Sequence, residues 1–491
     1  MSDYYNSLPD VVQVRVDKFN KLVQEGRYPY QARRFDVSAY AKGITENFGE
    51  YEGKKAAMAG RIMAKRGQGK ASFYDLQDST ARIQLYIKVD DLGEEEYQRV
   101  LALDIGDIIG VEGTAFKTNR GQISVRVEKI SLLAKSIQTM PEKFHGLKDA
   151  DLRYRQRYVD LIVNPEVKET FVLRAKAIRS MREFMDARGF LEVQTPVLGT
   201  LAGGAAAKPF ITHHNALGIP MYMRIALELP LKRLVVGGLE KVYEIGTVFR
   251  NEGMDASHNP EFTMMESYEA YADFNAVMDM VEELFHFVAK ALHGTADIAY
   301  KGHEISLNPP FRKARMTDLV AEATGVDFDK ITDLEEARQA GEKLGMRMEG
   351  SWGIGKIIEE AFDTFVESQL IQPTYVTHHP TEISPLSKKS EGDPRYTDRF
   401  ELFIAGSEFA NGFSELNDPF DQRERFEEQM RKKSMGEDAT HPYDRDFVNA
   451  LEFGLPPTGG VGIGVDRLVM LLSGEVTIRD VILFPTMKPI G

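Results

Sequence analysis

Phe262, Met264, Glu266 and Tyr268 stand at alternate positions of one short run. On a β-strand, where successive side chains point to opposite faces, the four share a face: a carboxylate set among two aromatic rings and a thioether. Such a face suits a cation. Upstream lies Phe249-Arg250-Asn251-Glu252-Gly253, at the end of a run in which Val248 and Arg250 share a side. The loop from Glu252 to Glu261 then turns the chain back antiparallel. An Arg and an aromatic at the mouth of a hairpin suit a nucleotide, with guanidinium on phosphate and ring on base. A structural hairpin with an Arg–Glu surface pair shows the same alternation, so the pattern alone leaves both readings open.

Far downstream, Gly460, Gly462 and Gly464 fall on one face of an extended run, and Arg467 follows in the first turn of an apolar helix. Three missing side chains weaken a strand unless something flat lies against its backbone. The spacing is not a G-x-G-x-x-G dinucleotide fingerprint, and no G-x-x-x-x-G-K-[ST] phosphate loop occurs. A tight packing corner is the alternative.

The chain has the length to position such groups: 491 residues imply about three domains. Zero cysteines exclude disulfides, thiolate metal sites and a thiol nucleophile. The adjacent pairs His213-His214 and His378-His379 point to opposite faces of a strand, so no zinc is expected. Met1 to Asn6 shows no basic segment leading into an apolar one, and no apolar run nears the ~20 residues of a membrane span, which reads as soluble and cytoplasmic.

A net charge of -14 argues against a nucleic-acid partner, because phosphate contacts need Lys and Arg. Locally the balance reverses. From Lys54 to Lys70 there are six basic residues (Lys54, Lys55, Arg61, Lys65, Arg66, Lys70) and no acid, which is either a phosphate-facing or a merely solvated surface. Around this run, β-rich segments Ala56–Ile62, Ala71–Gln77, Ala81–Val89, Ile108–Ala115 and Gln122–Ser131 alternate with turns at Gly67-Gln68-Gly69 and Thr118 to Gly121. Five strands over about 80 residues make an OB-type barrel, a fold that holds single-stranded nucleic acid on aromatics and basic groups. Phe73 and Gln84 lie on adjacent strands, one to stack on a base and one to bond its edge. Ahead of the barrel, Val12 to Gln24 has helical spacing, with Val12, Phe19 and Val23 on one side and a basic edge of Arg15, Lys18 and Lys21 that could widen the nucleic-acid surface.

Together with Gly189-Phe-Leu-Glu-Val-Gln-Thr-Pro196, the hairpin and the Gly-rich strand resemble, in order and over about 300 residues, the three motifs of class II aminoacyl-tRNA synthetases. Within that class the chain is similar to the lysyl-tRNA synthetases, through Arg224-Ile-Ala-Leu-Glu228-Leu, His258-Asn-Pro-Glu-Phe-Thr-Met-Met-Glu266 and Asn411-Gly-Phe-Ser-Glu415-Leu-Asn-Asp. The resemblance implies an α+β chain: a helical extension over 1–54, an OB-fold anticodon domain over 55–145, and a catalytic antiparallel sheet flanked by helices over 146–491. A link including Lys143-Phe-His-Gly146 and Arg153 to Tyr158 would join the domains, and a helical insertion would occupy about 310–370, with Asp333–Leu344 among its helices.

It further implies ATP-dependent activation of lysine and its transfer to tRNA(Lys) by a homodimer. In that reading Arg250 neutralises the α-phosphate and the amino-acid carboxylate. Glu252, His258, Asn259, Phe262, Glu401, Gly464 and Arg467 would bind ATP, with adenine between Phe262 and Arg467. Glu401 and Glu408, on a strand Arg399–Glu408, would hold Mg²⁺. Gly204 and Glu228 would take the α-amino group, and Glu266, Tyr268 and Glu415 the ε-ammonium, with Asn411 and Phe413 assisting. Arg66, Phe73, Gln84 and Gln122 would read the anticodon, Gln122 replacing an expected Glu. Ser257, Leu227 and Pro230 also depart from the family pattern. Three rivals stay open: a paralogue that lysylates a protein, an aspartyl or asparaginyl enzyme, for which Glu266 and Glu415 have the wrong charge, and a non-catalytic tRNA-binding or regulatory protein.

Overall fold

The computed structural model describes residues 7–67, 69–141, 147, 149–434 and 442–490. Residues 1–6, Gln68 and 143–146, on which the leader, first-turn and linker readings rest, lie outside that set. The chain divides into two compact units, Met1–Lys148 and Asp149–Gly491.

In the first unit, strands Lys55–Arg66, Ala71–Gln77, Arg82–Lys88, Ile108–Lys117 and Ile123–Ala134 close into a five-stranded barrel. Period-2 burial explains it: Tyr74, Leu76, Leu85 and Ile87 point inward while Phe73, Asp75 and Tyr86 alternate outward. Two helices, Val89–Leu92 and Glu94–Leu101, follow the third strand. Tyr97 meets Ser72 Oγ at 2.8 Å, and Tyr74 donates to Val100 O at 2.9 Å.

The basic residues here are mostly spent on the protein itself, contrary to the sequence expectation. Arg15, on helix Asp10–Gln24, is 8% exposed and donates to Ile105 O, Ser136 O and Gln138 O. Lys18 pairs with Asp104 at 2.5 Å, while Val23 is exposed. Within the Lys54–Lys70 run, Lys55 pairs with Glu128 and Arg66 with Asp75. Arg61 donates to Gly106 O and Lys65 to Leu101 O and Leu103 O. Loop carbonyls left without strand partners attract the long cationic side chains inward.

The second unit centres on an eight-stranded sheet. Its order is Arg312–Arg315, Thr374–Thr377, Arg399–Ile404, Ser407–Ser414, Thr458–Gly464, Glu261–Ala270, Lys241–Phe249, Leu191–Glu192. Only the two outermost pairings are parallel. One face buries Met265, Ala410, Val461 and Ile463 in a core built with helices Val167–Ala187, Phe274–His293 and Val465–Ser473. The alternate residues are left for the other face. Residues 310–370 hold helices Met316–Thr324, Leu334–Lys343 and Ile354–Phe365, the second capped by Asp333, which accepts from Glu336 N at 3.0 Å.

Arg399–Glu408 is not one strand. Ala405 and Gly406, at φ 49° and 67°, turn it into a tight hairpin, the geometry that two-residue turns need to match strand twist. A register shift at Leu402/Phe403 leaves the neighbours Phe409 and Ala410 both in the core, with Phe409 against Phe285, while Glu408 and Asn411 both line the cavity, which a regular strand would forbid. Among the described residues, no helix is long and apolar enough to cross a membrane.

Candidate active site

A cavity of about 480 Å³ opens on the glycine-bearing face of the sheet. It brings together every predicted ATP-, lysine- and metal-binding residue: Gly204, Glu228, Arg250, Glu252, His258, Asn259, Phe262, Glu266, Tyr268, Glu401, Glu408, Asn411, Phe413, Glu415, Gly464 and Arg467.

Strand pairing explains the convergence. Val248 faces Phe262 across the hairpin, Glu266 lies opposite Gly462 and Tyr268 opposite Gly460, and Asn411 and Phe413 flank the same glycines from the other side. A Cβ on Gly460 would lie 2.1 Å from Glu415 Oε1 and 2.5 Å from the Tyr268 ring. Gly460→Ala should therefore close the far end of the cavity. Overpacking of roughly 1–3 kcal/mol should raise KM for the amino acid about ten- to hundredfold in steady-state assays and leave KM for ATP nearly unchanged.

The far end is lined by acids. Glu266, 4% exposed, accepts from Leu227 N at 2.8 Å and Tyr268 OH at 2.9 Å. Leu227 thus supplies a backbone donor to the pocket acid, one that a proline at this position could not. Burial, and next the charge of Glu228, push Glu266 up to about 7. Burial pushes Glu415 well above the usual range, with Lys232 opposing. Among the described residues, Glu415 Oε1 is buried with no hydrogen-bond partner, while Oε2 stands in ion contact with Lys232, off hydrogen-bond geometry. Acidic oxygens buried in this way call for a cation.

At the hairpin end, Arg250 lies 5.3 Å over the Phe262 ring and gives one long bond, 3.4 Å, to Ile225 O. Arg467 donates to Glu408 O at 2.5 Å. In the loop, Asp255 accepts from His258 N at 2.8 Å and Ser257 N at 2.6 Å and faces His258 Nδ1 at 2.9 Å. Asn259 donates to Glu261 O at 2.6 Å, and Glu252 is exposed and accepts from Lys208 N at 3.4 Å.

Glu401 and Glu408 open on the same cavity. Burial raises both, and Glu401 raises Glu408 further; a divalent cation would relieve that repulsion, and carboxylate oxygens suit Mg²⁺. The pair fits a metal shared with a phosphate ligand. Among the described residues, no group of three or more His, Cys, Asp and Glu stands ready to hold an ion alone.

Three side chains escaped the sequence reading. Lys232 is the first. Arg399 donates to Glu401 Oε1 at 2.6 Å and Asn411 Oδ1 at 3.2 Å, joining the metal and amino-acid ends. Arg174 meets Asp466 and donates to Thr263 Oγ1 at 3.0 Å, while Asp466 accepts from Thr263 N at 2.7 Å. That link ties helix Val167–Ala187 to both the hairpin and the helix bearing Arg467.

The barrel presents a separate face. Phe73 and Tyr86 lie 5.1 Å apart between ring centres, tilted by 35°, and Phe116 lies 5.8 Å from Tyr86. Arg66 pairs with Asp75 at 2.6 Å. Gln84, 9% exposed, accepts from Ser124 Oγ at 3.0 Å, and Gln122 is exposed. Tyr86 and Phe116 extend the aromatic row beyond the one ring read from sequence, and their alternation with buried neighbours was the available signal.

Comparison with known proteins decides the family. Residues 149–488 match the model for tRNA synthetases class II (D, K and N), and residues 56–133 match an OB-fold nucleic acid binding domain. The lysine–tRNA ligase of Thermoanaerobacter pseudethanolicus is 55% identical over 482 residues, 98% of this chain and 97% of the relative. The chain belongs to the lysine–tRNA ligase family of class II synthetases. Its likeness extends to the lysine–tRNA ligases of Moorella thermoacetica, 54% identical over 98% of both chains, and of Bacillus subtilis, 52% identical over 99% of this chain and 98% of the relative. For a member of this family, an anionic pocket beside an arginine-lined cleft is the arrangement its chemistry requires.

Proposed function

We propose that this synthetase activates L-lysine with ATP and transfers it to tRNA(Lys). The carboxylate oxygen of lysine attacks the α-phosphorus, the bond to the bridging oxygen breaks, and pyrophosphate leaves. A terminal ribose hydroxyl of the tRNA then attacks the carbonyl of lysyl-adenylate and AMP departs. No protein nucleophile is needed, because alignment and charge neutralisation lower the barrier to phosphate-centred displacement. Arg250 bridges the lysine carboxylate and the α-phosphate, a task for a planar, permanently charged fork. Phe262 and Arg467 hold adenine, Gly464 leaves it room, and Glu252, His258 and Asn259 order the hairpin loop beside the outer phosphates. Glu401 and Glu408 would hold Mg²⁺, which when bound neutralises phosphate charge. Gly204 and Glu228 receive the α-amino group. Glu266, Tyr268 and Glu415 receive the ε-ammonium, with Asn411 and Phe413 along the aliphatic chain.

The observation that carries this reading is the partnerless Oε1 of buried Glu415 beside Glu266 and Tyr268, an arrangement that an ε-ammonium would satisfy. Lysine-dependent exchange of labelled pyrophosphate into ATP is the test; its absence with folded protein would overturn the reading.

Because Glu266 is raised to about 7 and must be ionised to hold an ammonium, KM for lysine should fall roughly tenfold between pH 6 and 8, with KM for ATP flat. Stability runs the other way. The raised group stabilises the ligand-free protein fully below about 4.5, and that contribution is lost as pH rises through about 7.

On the barrel, Arg66, Phe73, Gln84 and Gln122 would contact the anticodon. Phe73→Ala should remove about 1–3 kcal/mol of base stacking, lowering kcat/KM for tRNA about ten- to hundredfold while pyrophosphate exchange stays at wild-type rate. The family further implies a cytoplasmic location and a homodimer, the second of which sedimentation of the full chain would test.

A further inference from the structure

Lys232 lies on helix Glu228–Val236 with 0% of its side chain exposed. Its ammonium donates to Glu228 Oε1 at 2.5 Å, meets Glu415 Oε2, and stands 5.6 Å and 5.4 Å from the centres of the Phe413 and Phe447 rings. We propose that Lys232 is a positioning residue for amino-acid selection: it clamps Glu228 to Glu415 and thereby sets which carboxylate oxygens remain for the two ammonium groups of the substrate. The inference deepens the lysine-activation reading and rests on it.

One internal ammonium cannot balance the acids around this cavity. Glu228 lies on its own helix, Glu415 just beyond strand Ser407–Ser414, and Glu266 and Tyr268 on strand Glu261–Ala270. The positive charge of Arg399, on strand Arg399–Ile404, favours the ionised form of Glu228. On helix Arg445–Glu452, Lys232 meets the Phe447 ring, while the capping Asp444 is taken by Arg233. Burial alone would strip the Lys232 proton, but Glu228 and Glu415 outweigh it and hold the ammonium above its usual range. The clamp therefore stays charged, and each clamped carboxylate turns one oxygen to Lys232. The other oxygen of Glu415 is the partnerless one. Without the clamp, three buried carboxylates would repel, take up protons and rotate, and the distance between the α-amino and ε-ammonium subsites would no longer be fixed.

The test is the Lys232→Met variant, assayed by pyrophosphate exchange with lysine and with ornithine. KM for lysine should rise at least thirtyfold with KM for ATP within twofold, and the preference for lysine over ornithine should shrink at least fivefold. Equal loss in both KM values, or an unchanged lysine-to-ornithine ratio, overturns the proposal. If the variant fails to fold, a crystal structure of the wild type with lysine bound decides: Lys232 should still bridge Glu228 and Glu415 without touching the ligand, and an Nζ displaced from either carboxylate refutes the clamp. Failure of wild-type exchange with lysine would instead remove the underlying functional reading.

Discussion

Arg250→Ala should lower lysine-dependent pyrophosphate exchange by on the order of 10³-fold or more, and Arg250→Lys should recover little of the loss. The reason is geometric. Attack at the α-phosphorus brings two anions together, and the Arg250 guanidinium at the hairpin mouth faces the cavity beside Phe262. A fork can bond both anions at once, whereas an ammonium of similar charge is a point that serves one. The loss should fall mainly on kcat, because the charge that needs stabilising grows in the transition state. A variant that folds, binds ATP and exchanges within tenfold of wild type would mean that another group carries the neutralisation.

Glu415→Gln should be nearly as damaging, but for binding. Removing one partner from a buried ionic set costs about 3–5 kcal/mol, here expressed as a fall of about 10² to 10³ in kcat/KM for lysine with KM for ATP preserved. The variant also leaves Lys232 with Glu228 as its remaining carboxylate contact, so its effect and that of Lys232→Met should not add. Neutral amino acids of the same length should gain relative to lysine, because the site no longer buries an unpaired charge when they enter. An unchanged preference for lysine would mean that Glu266 and Tyr268 suffice.

Much of this site could be read from strand alternation. Phe262, Glu266 and Tyr268 share a face because the period is 2, and three glycines at the same period mark the floor they cover. Long-range pairing could not be read. Glu228 and Lys232 are four apart, which in sequence is an ordinary surface ion pair on a helix; the apolar neighbours Leu227, Leu229, Leu231 and Val235 were the sign that this stretch is buried all round. The Arg399–Glu408 hairpin was hidden because Ala405-Gly406 interrupts an apolar run by only two residues, and the register shift that aims Glu408 leaves no mark in composition. Basic residues misled for a related reason. Arg15, Arg61 and Lys65 look like a surface for phosphate, but unsatisfied carbonyls within the barrel unit claim them.

The most direct measurement compares L-lysine with 6-hydroxynorleucine, its uncharged near-isostere, in wild-type pyrophosphate exchange at pH 8. If buried carboxylates select the substrate, kcat/KM for the hydroxyl analogue should fall by on the order of 10³-fold or more, since either an acid is left unpaired or a proton must be taken up. Comparable exchange with the two amino acids would contradict the account.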